Sequence, residues 1–365
     1  MATRPGLKLW ALTRMRSSAY AVLVWLVLFS TATAQQPGNT PPPQQPPAQT
    51  PAQPDSAYTL KTQANVVLVP ATVRTKQGEI IYALRADQFV VEDNGVAQAI
   101  HLDEDTDSLG LTLVVLMQCS RAAVMEYAKL SGLATMLDDL AGGAPRQIAI
   151  ASYGKEPTLL GDFSPDPKAT FDALGQLQPC DDAEAATFDA VAWASSLLDE
   201  HKDRNRHAIL LISETRDHGS HKKPADVIAS LGQTNTVVDS VSFSPGKTEV
   251  LNDLRFGGGS GPFGLLVMAV NAAKKNAPRT LAELSGGEYI NFTTQKGFDN
   301  GLHQLSNRIH NYYLLSFQPQ AGPNGSPAEG LHSIRVRVPD YPDAKIGSRE
   351  SYFSGSLDSL PADLR

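Results

Sequence analysis

Three places in this chain put polar side chains just beyond an apolar run: Gln118-Cys119-Ser120, Thr187 at the entry to a helix, and Glu214-Thr215-Arg216-Asp217. In open α/β sheets ligands bind beyond the carboxyl ends of the strands, so chemistry is sought at these positions. The acidic loop around Asp217 offers carboxylates for a hydrolase or an accessory enzyme, but no nucleophile stands beside a base at a recognisable spacing. His218 and His221 lie next to Asp217, a grouping that in a polar loop reads as solvated. The chain holds no G-x-S-x-G elbow, no H-E-x-x-H and no G-x4-G-K-[ST]. Serine-hydrolase, zinc-protease and P-loop chemistry therefore lack support. Gly257-Gly258-Gly259-Ser260-Gly261 follows no clear strand and reads as an insertion. Asn291-Phe292-Thr293 fits a glycosylation sequon that three residues produce easily by chance.

The elements that must position these groups alternate in type. Leu109 to Met117 is nearly all apolar, as in a strand covered on both faces of a parallel sheet. Val124, Tyr127, Leu130, Leu133, Leu137 and Leu140 predict a helix over 122–140. Strands over 146–153, 207–212, 237–243 and 288–292 alternate with helices over 169–177, 184–198, 225–231, 265–275, 280–284 and 298–309. This order implies an α/β fold with a doubly wound, mainly parallel sheet. Segments on either side are β-rich. Residues 66–74, 80–82, 89–92 and 96–102 are strand-like, with Asp93-Asn94-Gly95 as a hairpin turn. Residues 312–318, 332–338 and 348–353 form the second set. Each set is undersized alone, so a smaller β unit built from both is expected beside the α/β sheet.

Around this core the 365 residues carry an address and a spacer. Arg4, Lys8, Arg14 and Arg16 precede 11 apolar residues from Ala19 to Phe29, and Ala32-Thr33-Ala34 supplies a cleavage pattern. This is the layout of a secretory signal peptide cut near Ala34, and the run is too short for a membrane span. Pro and Gln fill 14 of the next 20 positions, an extended linker. The expected divisions are signal peptide 1–34, linker 35–57, N-terminal β unit 58–108, α/β domain 109–310 and C-terminal β segment 311–365. The net charge of −7 becomes −11 once the four leader cations are removed. So acidic a chain argues against nucleic-acid binding. Two cysteines exclude a disulfide-dense scaffold and a four-cysteine zinc site, and leave room for one bridge.

From about Asn65 to Phe353 the chain resembles the von Willebrand factor A superfamily, specifically VWFA-related proteins of the acidobacterial type. The resemblance rests on Val73-x4-Gly78-x5-Leu84-x2-Asp87-x-Phe89-x2-Glu92-Asp93-Asn94-Gly95 and on the buried strand and its loop. Leu284-Ser285-Gly286-Gly287, Tyr313-Leu314-Leu315-Ser316-Phe317-Gln318-Pro319, His332-x-Ile334-x-Val336-x-Val338 and Ser348-Arg349-x2-Tyr352 complete it. It implies a Rossmann-like A domain with an adhesion site, where Asp-x-Ser-x-Ser, a distant Thr and a distant Asp hold a divalent cation. Gln118 stands at the first Asp and Ala122 at the second Ser. Ser120 and Thr187 match, and Glu214 replaces the distant Asp. Mg²⁺ demands near-ideal octahedral oxygen geometry, so this degenerate set predicts no cofactor, or at most weak Mg²⁺ or Mn²⁺ on Ser120, Thr187 and Glu214, with Asp217 as a replacement acid.

Within the resemblance, Cys119 lies in the degenerate loop and Cys180 shortly precedes Thr187, which predicts a Cys119–Cys180 disulfide in an exported protein. The expected function is a non-enzymatic, exported protein–protein interaction module using the A-domain top face, with an unidentified protein partner and no metal requirement. A weakened metal-dependent adhesion site and an enzyme using the Asp217 loop are the alternatives.

Overall fold

The computed structural model describes residues 66–103, 110–130, 132–140, 145–203, 205–243, 264–320 and 328–356. The leader, the linker and the glycine run at 257–261 lie outside these residues.

Four short strands open the fold: β1 (Val67–Arg74), β2 (Val90–Asp93), β3 (Val96–Ala97) and β4 (Ile100–Asp103). Asn94 and Gly95 both take positive φ (48° and 82°), the twist that joins β2 to β3 in a two-residue hairpin. The continuous strand expected over 96–102 is instead two strands in different sheets. Gln98 donates its backbone N–H to Val91, and the chain then crosses to the other layer. Residues 80–82 form no strand; Ile80 makes a single bridge to Arg74 before Ala83 turns through positive φ.

The central sheet comprises β5 (Leu111–Gln118), β6 (Arg146–Tyr153), β7 (Pro157–Ser164), β8 (Arg206–Glu214), β9 (Val237–Phe243) and β10 (Tyr289–Phe292). Their order is β10-β9-β8-β5-β6-β7, parallel throughout except for β7, which runs antiparallel to β6. All eight residues of β5 are buried, as its apolar run requires. The fold is therefore a doubly wound α/β sheet with smaller antiparallel sheets beside it, as its alternating pattern implies. The sheet order reverses between β5 and β8, so the crevice beyond their carboxyl ends is the topological switch point.

Helices cover both faces. Val114 and Leu116 pack with α3 (Thr187–Glu200), α4 (Pro224–Thr234), α5 (Gly264–Ala273) and α6 (Ala277–Ser285). Leu113, Val115 and Met117 pack with α1 (Leu133–Leu140) and α7 (Gln295–His310). A short α2 (Pro167–Leu174) lies against β7; Asp166 caps it by accepting the Lys168 N–H, and Pro167 occupies its first turn. The helix expected over 122–140 shortens to α1, preceded by 3-10 turns at Arg121–Ala123 and Tyr127–Lys129. Gly132 costs helix propensity within it. The Arg121 N–H is drawn instead to the Asp182 carbonyl. The sequence pattern also missed β7, whose mixed, half-exposed residues carry no clean alternation.

The remaining strands are β11 (Tyr313–Phe317), β12 (Gly330–Arg337), β13 (Lys345–Ser348) and β14 (Ser351–Ser354). They combine with the first four into two four-stranded sheets, β13-β1-β11-β4 and β14-β12-β2-β3. Val69, Val73, Val91, Leu315, Val336 and Tyr352 fill the core between the sheets. At the end of α6, Gly286 takes φ +88° and Gly287 passes so close to β9 that a Cβ there would lie 1.9 Å from the Val238 carbonyl oxygen. The Ser285-Gly286-Gly287 break is thus a steric requirement.

Inside the second small sheet, His332 is sandwiched between acceptors. Its Nδ1 lies 2.8 Å from Asp93 Oδ1 and its Nε2 2.7 Å from the Ala328 carbonyl. Tyr352 donates its hydroxyl to Asp93 Oδ2 at 2.7 Å and stacks on the imidazole, while the Asn94 amide approaches Nδ1 at 3.1 Å. Burial opposes the charged ring, but Asp93 and the Ala328 carbonyl outweigh it and hold the His332 pKa above its ordinary 6.5. A raised folded-state pKa stabilises the fold fully below pH 6.5, and that contribution disappears as pH rises through the raised value. The melting temperature of the wild type should therefore exceed that of His332→Gln most in mild acid, with the gap narrowing towards alkaline pH. A constant gap across that range would show that His332 stays neutral.

Candidate functional site

At the carboxyl end of β5, Gln118 is wholly buried and its amide joins three groups. Nε2 donates to Ser120 Oγ at 2.7 Å and to Glu214 Oε1 at 2.9 Å, while Oε1 accepts the Glu214 backbone N–H at 2.8 Å. The network sets the amide's orientation. Exchanging O and N would face NH₂ against an N–H and an oxygen against a carboxylate. β5 and β8 run parallel and adjacent, so the last residue of one strand reaches the last residue of the other. Ser120 is 1% exposed, and Glu214 lies mostly buried with its Oε2 3.7 Å from His218 Nε2.

Thr187, the first residue of α3, is fully buried and pairs with a different partner. Its hydroxyl lies 3.1 Å from the Tyr153 hydroxyl at the end of β6 and 3.4 Å from the Ala185 carbonyl. Burial pushes the Tyr153 phenol well above its ordinary range, so it remains a neutral hydrogen-bonding group. Asp217 is occupied as a helix cap. Its Oδ1 accepts the Phe188 N–H at 3.1 Å and the Ser220 hydroxyl at 2.5 Å, at the positive end of the α3 dipole. Asp189, two residues into the same helix, accepts the backbone N–H groups of His221 (2.9 Å) and Lys222 (2.7 Å). Burial works against its charge, yet these bonds hold its pKa below the usual carboxylate range. Ala122 sits exposed in the 3-10 turn with only a methyl group to offer.

The structure thus brings Gln118, Ser120 and Glu214 into one hydrogen-bonded cluster, and binds Thr187 and Asp217 to other neighbours around it. Tyr153, Ser220 and Asp189 were not singled out in the sequence. Tyr153 closes a strand just as Gln118 does, and that position was its available signal.

Cys119 and Cys180 form a disulfide with Cα atoms 5.1 Å apart. The Cys180 N–H also donates to the Cys119 carbonyl at 2.8 Å, and the Cys119 N–H to Tyr153 at 2.8 Å. Tyr127 braces the same rim, its hydroxyl within 3.4 Å of the Gln118 carbonyl and 3.3 Å of that of Gln178; burial pushes this phenol up to about 12. Gly154 lets Asp182 approach, for a Cβ there would lie 2.3 Å from a carboxylate oxygen. The loops after β5, β6 and β8 and the segment before α3 are consequently one fastened surface.

Gln118 changes the donor set at the position where the resemblance places a metal ligand. The space between Ser120 Oγ and Glu214 Oε1 is held by an amide nitrogen, a donor that repels a metal ion. One of these groups carries a carboxylate, and Mg²⁺ dehydrates only for near-ideal octahedral oxygen ligation. Among the described residues no group of three or more His, Cys, Asp or Glu side chains is placed to hold a metal.

Closing a loop with a sequence separation of 61 constrains the unfolded chain, by about 4 kcal/mol in the chain-entropy model. Cys119→Ser/Cys180→Ser should melt several degrees lower than the wild type, and a non-reducing peptide map should recover the two cysteines in one linked pair. Equal melting temperatures would show that the backbone hydrogen bonds alone fasten this rim.

No protein-family model matches the chain, and no curated relative matches it. Among solved structures it is similar to the conserved hypothetical protein BatB from Bacteroides thetaiotaomicron, at 13% identity over 54% of this chain and 100% of that one, with a TM-score of 0.38. It is also similar to the von Willebrand factor type A protein from Catenulispora acidiphila (12% identity, 68% of this chain and 51% of that one, TM-score 0.38). The third is proximal thread matrix protein 1 from the mussel byssus (10% identity, 59% and 49%, TM-score 0.42). The chain spans about half the length of the last two. Of these three, the Catenulispora acidiphila protein is the one described as a von Willebrand factor type A structure.

Proposed function

We propose that this chain is an exported, non-enzymatic module that binds a protein partner through the loops beyond β5, β6 and β8, with no bridging cation. The observation that carries the reading is the Gln118 amide, whose two N–H groups satisfy Ser120 and Glu214 from within the protein. Beside this closed cluster the rim exposes Arg121, Val124 (44%) and Met125 (78%). Arg and Met are enriched in protein interfaces, and exposed apolar side chains on a rigid rim suit an interface better than a reaction site. The carboxylates nearest the crevice are already committed, Glu214 to Gln118 and Asp217 to the α3 terminus. A disulfide at the rim and the leader sequence both support export to an oxidising compartment. The motif resemblance to VWFA-related proteins, including the replaced Asp and Ser, supports an A-domain face that has exchanged metal for an internal hydrogen bond.

Calorimetry on the mature protein tests the reading. The wild type should give no saturable heat with Mg²⁺ or Mn²⁺ at millimolar concentration, whereas Gln118→Asp/Ala122→Ser should bind. Saturable micromolar binding by the wild type would overturn metal independence. In chelator, a partner retained from envelope extract by the wild type should be lost with Met125→Asp. Equal retention by both would place the interface elsewhere.

A further inference from the structure

The other end of the sheet holds a cavity of about 440 Å³ that the top-face reading leaves unused. It opens where β5, β8 and β9 begin, at Leu111, Arg206 and Val237, and is closed by Leu68 of β1 and Leu314 of β11. Cavities of roughly 300–1,000 Å³ are the size that takes small molecules.

The wall is mainly apolar, and its charges are unevenly compensated. Asp239 is bound by Arg308 Nη1 at 2.8 Å and by the Glu288 N–H at 2.8 Å. Asp203 accepts from Thr112 at 2.5 Å, from the Asn205 N–H at 3.0 Å and approaches His207 Nε2 at 3.1 Å and His201 at 3.5 Å. Asp103 has a partner of its own. The arginines differ. Arg349 is 2% exposed and gives its hydrogen bonds to neutral acceptors: the carbonyls of Ser351, Leu68 and Gly232, and Asn235 Oδ1. Burial pulls its guanidinium down to about 10. Arg206 lies over the Tyr312 ring at 4.4 Å, and its buried Nε has no hydrogen-bond partner. Among the described residues neither arginine forms an ion pair; the Asp239 carboxylate, already bound to Arg308, acts on Arg206 only at longer range. A guanidinium removed from water with no carboxylate in direct contact is costly, and an anion at the same place offsets that cost.

We propose that this cavity is a binding site for a small amphiphilic carboxylate, its headgroup on Arg206 beside Arg349 and its apolar body between Leu68, Leu111, Val237 and Leu314. The fork of Arg206 suits a carboxylate, and the Tyr312 ring beneath its Cζ supports the guanidinium from one side. Arg349 is the positioning residue. Its bonds tie β1 and β14 to the end of α4, so it sets the width of the cavity and adds positive potential without leaving its place.

Calorimetry with octanoate, 1-octanol and inorganic phosphate on the mature protein tests this. Octanoate should bind one site, about tenfold or more tighter than octanol, because a charge-assisted bond separates them. Phosphate, lacking an apolar body, should give no saturable heat. Octanol binding as tightly as octanoate, or phosphate binding as tightly, would overturn the proposal. Arg206→Gln should bring octanoate to the octanol level and leave octanol unchanged, and Leu68→Trp should remove both. If either variant unfolds, phenylglyoxal labelling of the wild type decides. Octanoate must slow modification of Arg206 and leave Arg121 unaffected, and an unprotected Arg206 sinks the idea.

Discussion

A single buried amide sets the terms for everything around it. Gln118 ends the central strand, where six oxygen atoms would be needed to hold a metal ion and where one carboxylate, Glu214, is available. The amide supplies two donors and one acceptor, and all three are used. A buried amide with its valences filled is a stable arrangement, whereas an unpaired carboxylate at the same point would carry an uncompensated charge. With Gln118 in place, β5 and β8 are joined at the switch point of the sheet through side chains as well as through the ladder. The loops that follow these strands start from fixed positions.

That fixed start is extended outward by local ties of different kinds. The Cys119–Cys180 bridge carries it to the segment before α3, where Asp217 and Ser220 meet the first N–H groups of the helix. Asp189 then returns the tie to the loop at His221 and Lys222. Each carboxylate in this circuit has backbone donors, and this accounts for loop acids near a crevice that are structural. The result is a rim tied at several points, and such pre-organisation lowers the ordering cost of binding a partner.

Much of this architecture was legible because its physics is local. The eight buried residues of β5 and the helical spacing of Phe298, Leu302 and Leu305 announce a covered parallel strand and an amphipathic helix. The Asn94-Gly95 turn announces its hairpin through the positive φ it requires. The illegible parts were those decided by partners distant in sequence. Residues 121–129 have a helical pattern, yet Asp182 and the disulfide hold them in turns. Residues 96–102 read as one strand until one half pairs with β2 and the other with β11. At the site, the types and places of Gln118, Ser120 and Glu214 were visible, but which way the amide pointed was not. Nor did spacing reveal that Thr187 would meet Tyr153, since 34 residues separate them.

The two ends of the sheet solve opposite electrostatic problems. Beyond the strand ends, neutral donors meet the acids: an amide for Glu214, backbone N–H groups for Asp217 and Asp189. At the strand starts the helices α4, α6 and α7 end, and their carbonyls favour cations. Arg349 and Arg308 answer that demand by donating to Gly232 and Gly286. Helix ends can satisfy the hydrogen-bonding capacity of a guanidinium while leaving much of its charge unmatched, because a carbonyl dipole is weaker than a carboxylate. Asp239 completes the neutralisation for Arg308. No such acid pairs directly with Arg349 or Arg206 among the described residues, Asp239 acting on Arg206 only at longer range, and the same geometry that caps the helices therefore leaves positive potential over an apolar cavity. Within that cavity a small anion would meet guanidiniums sheltered from solvent, where competition from water and salt is least.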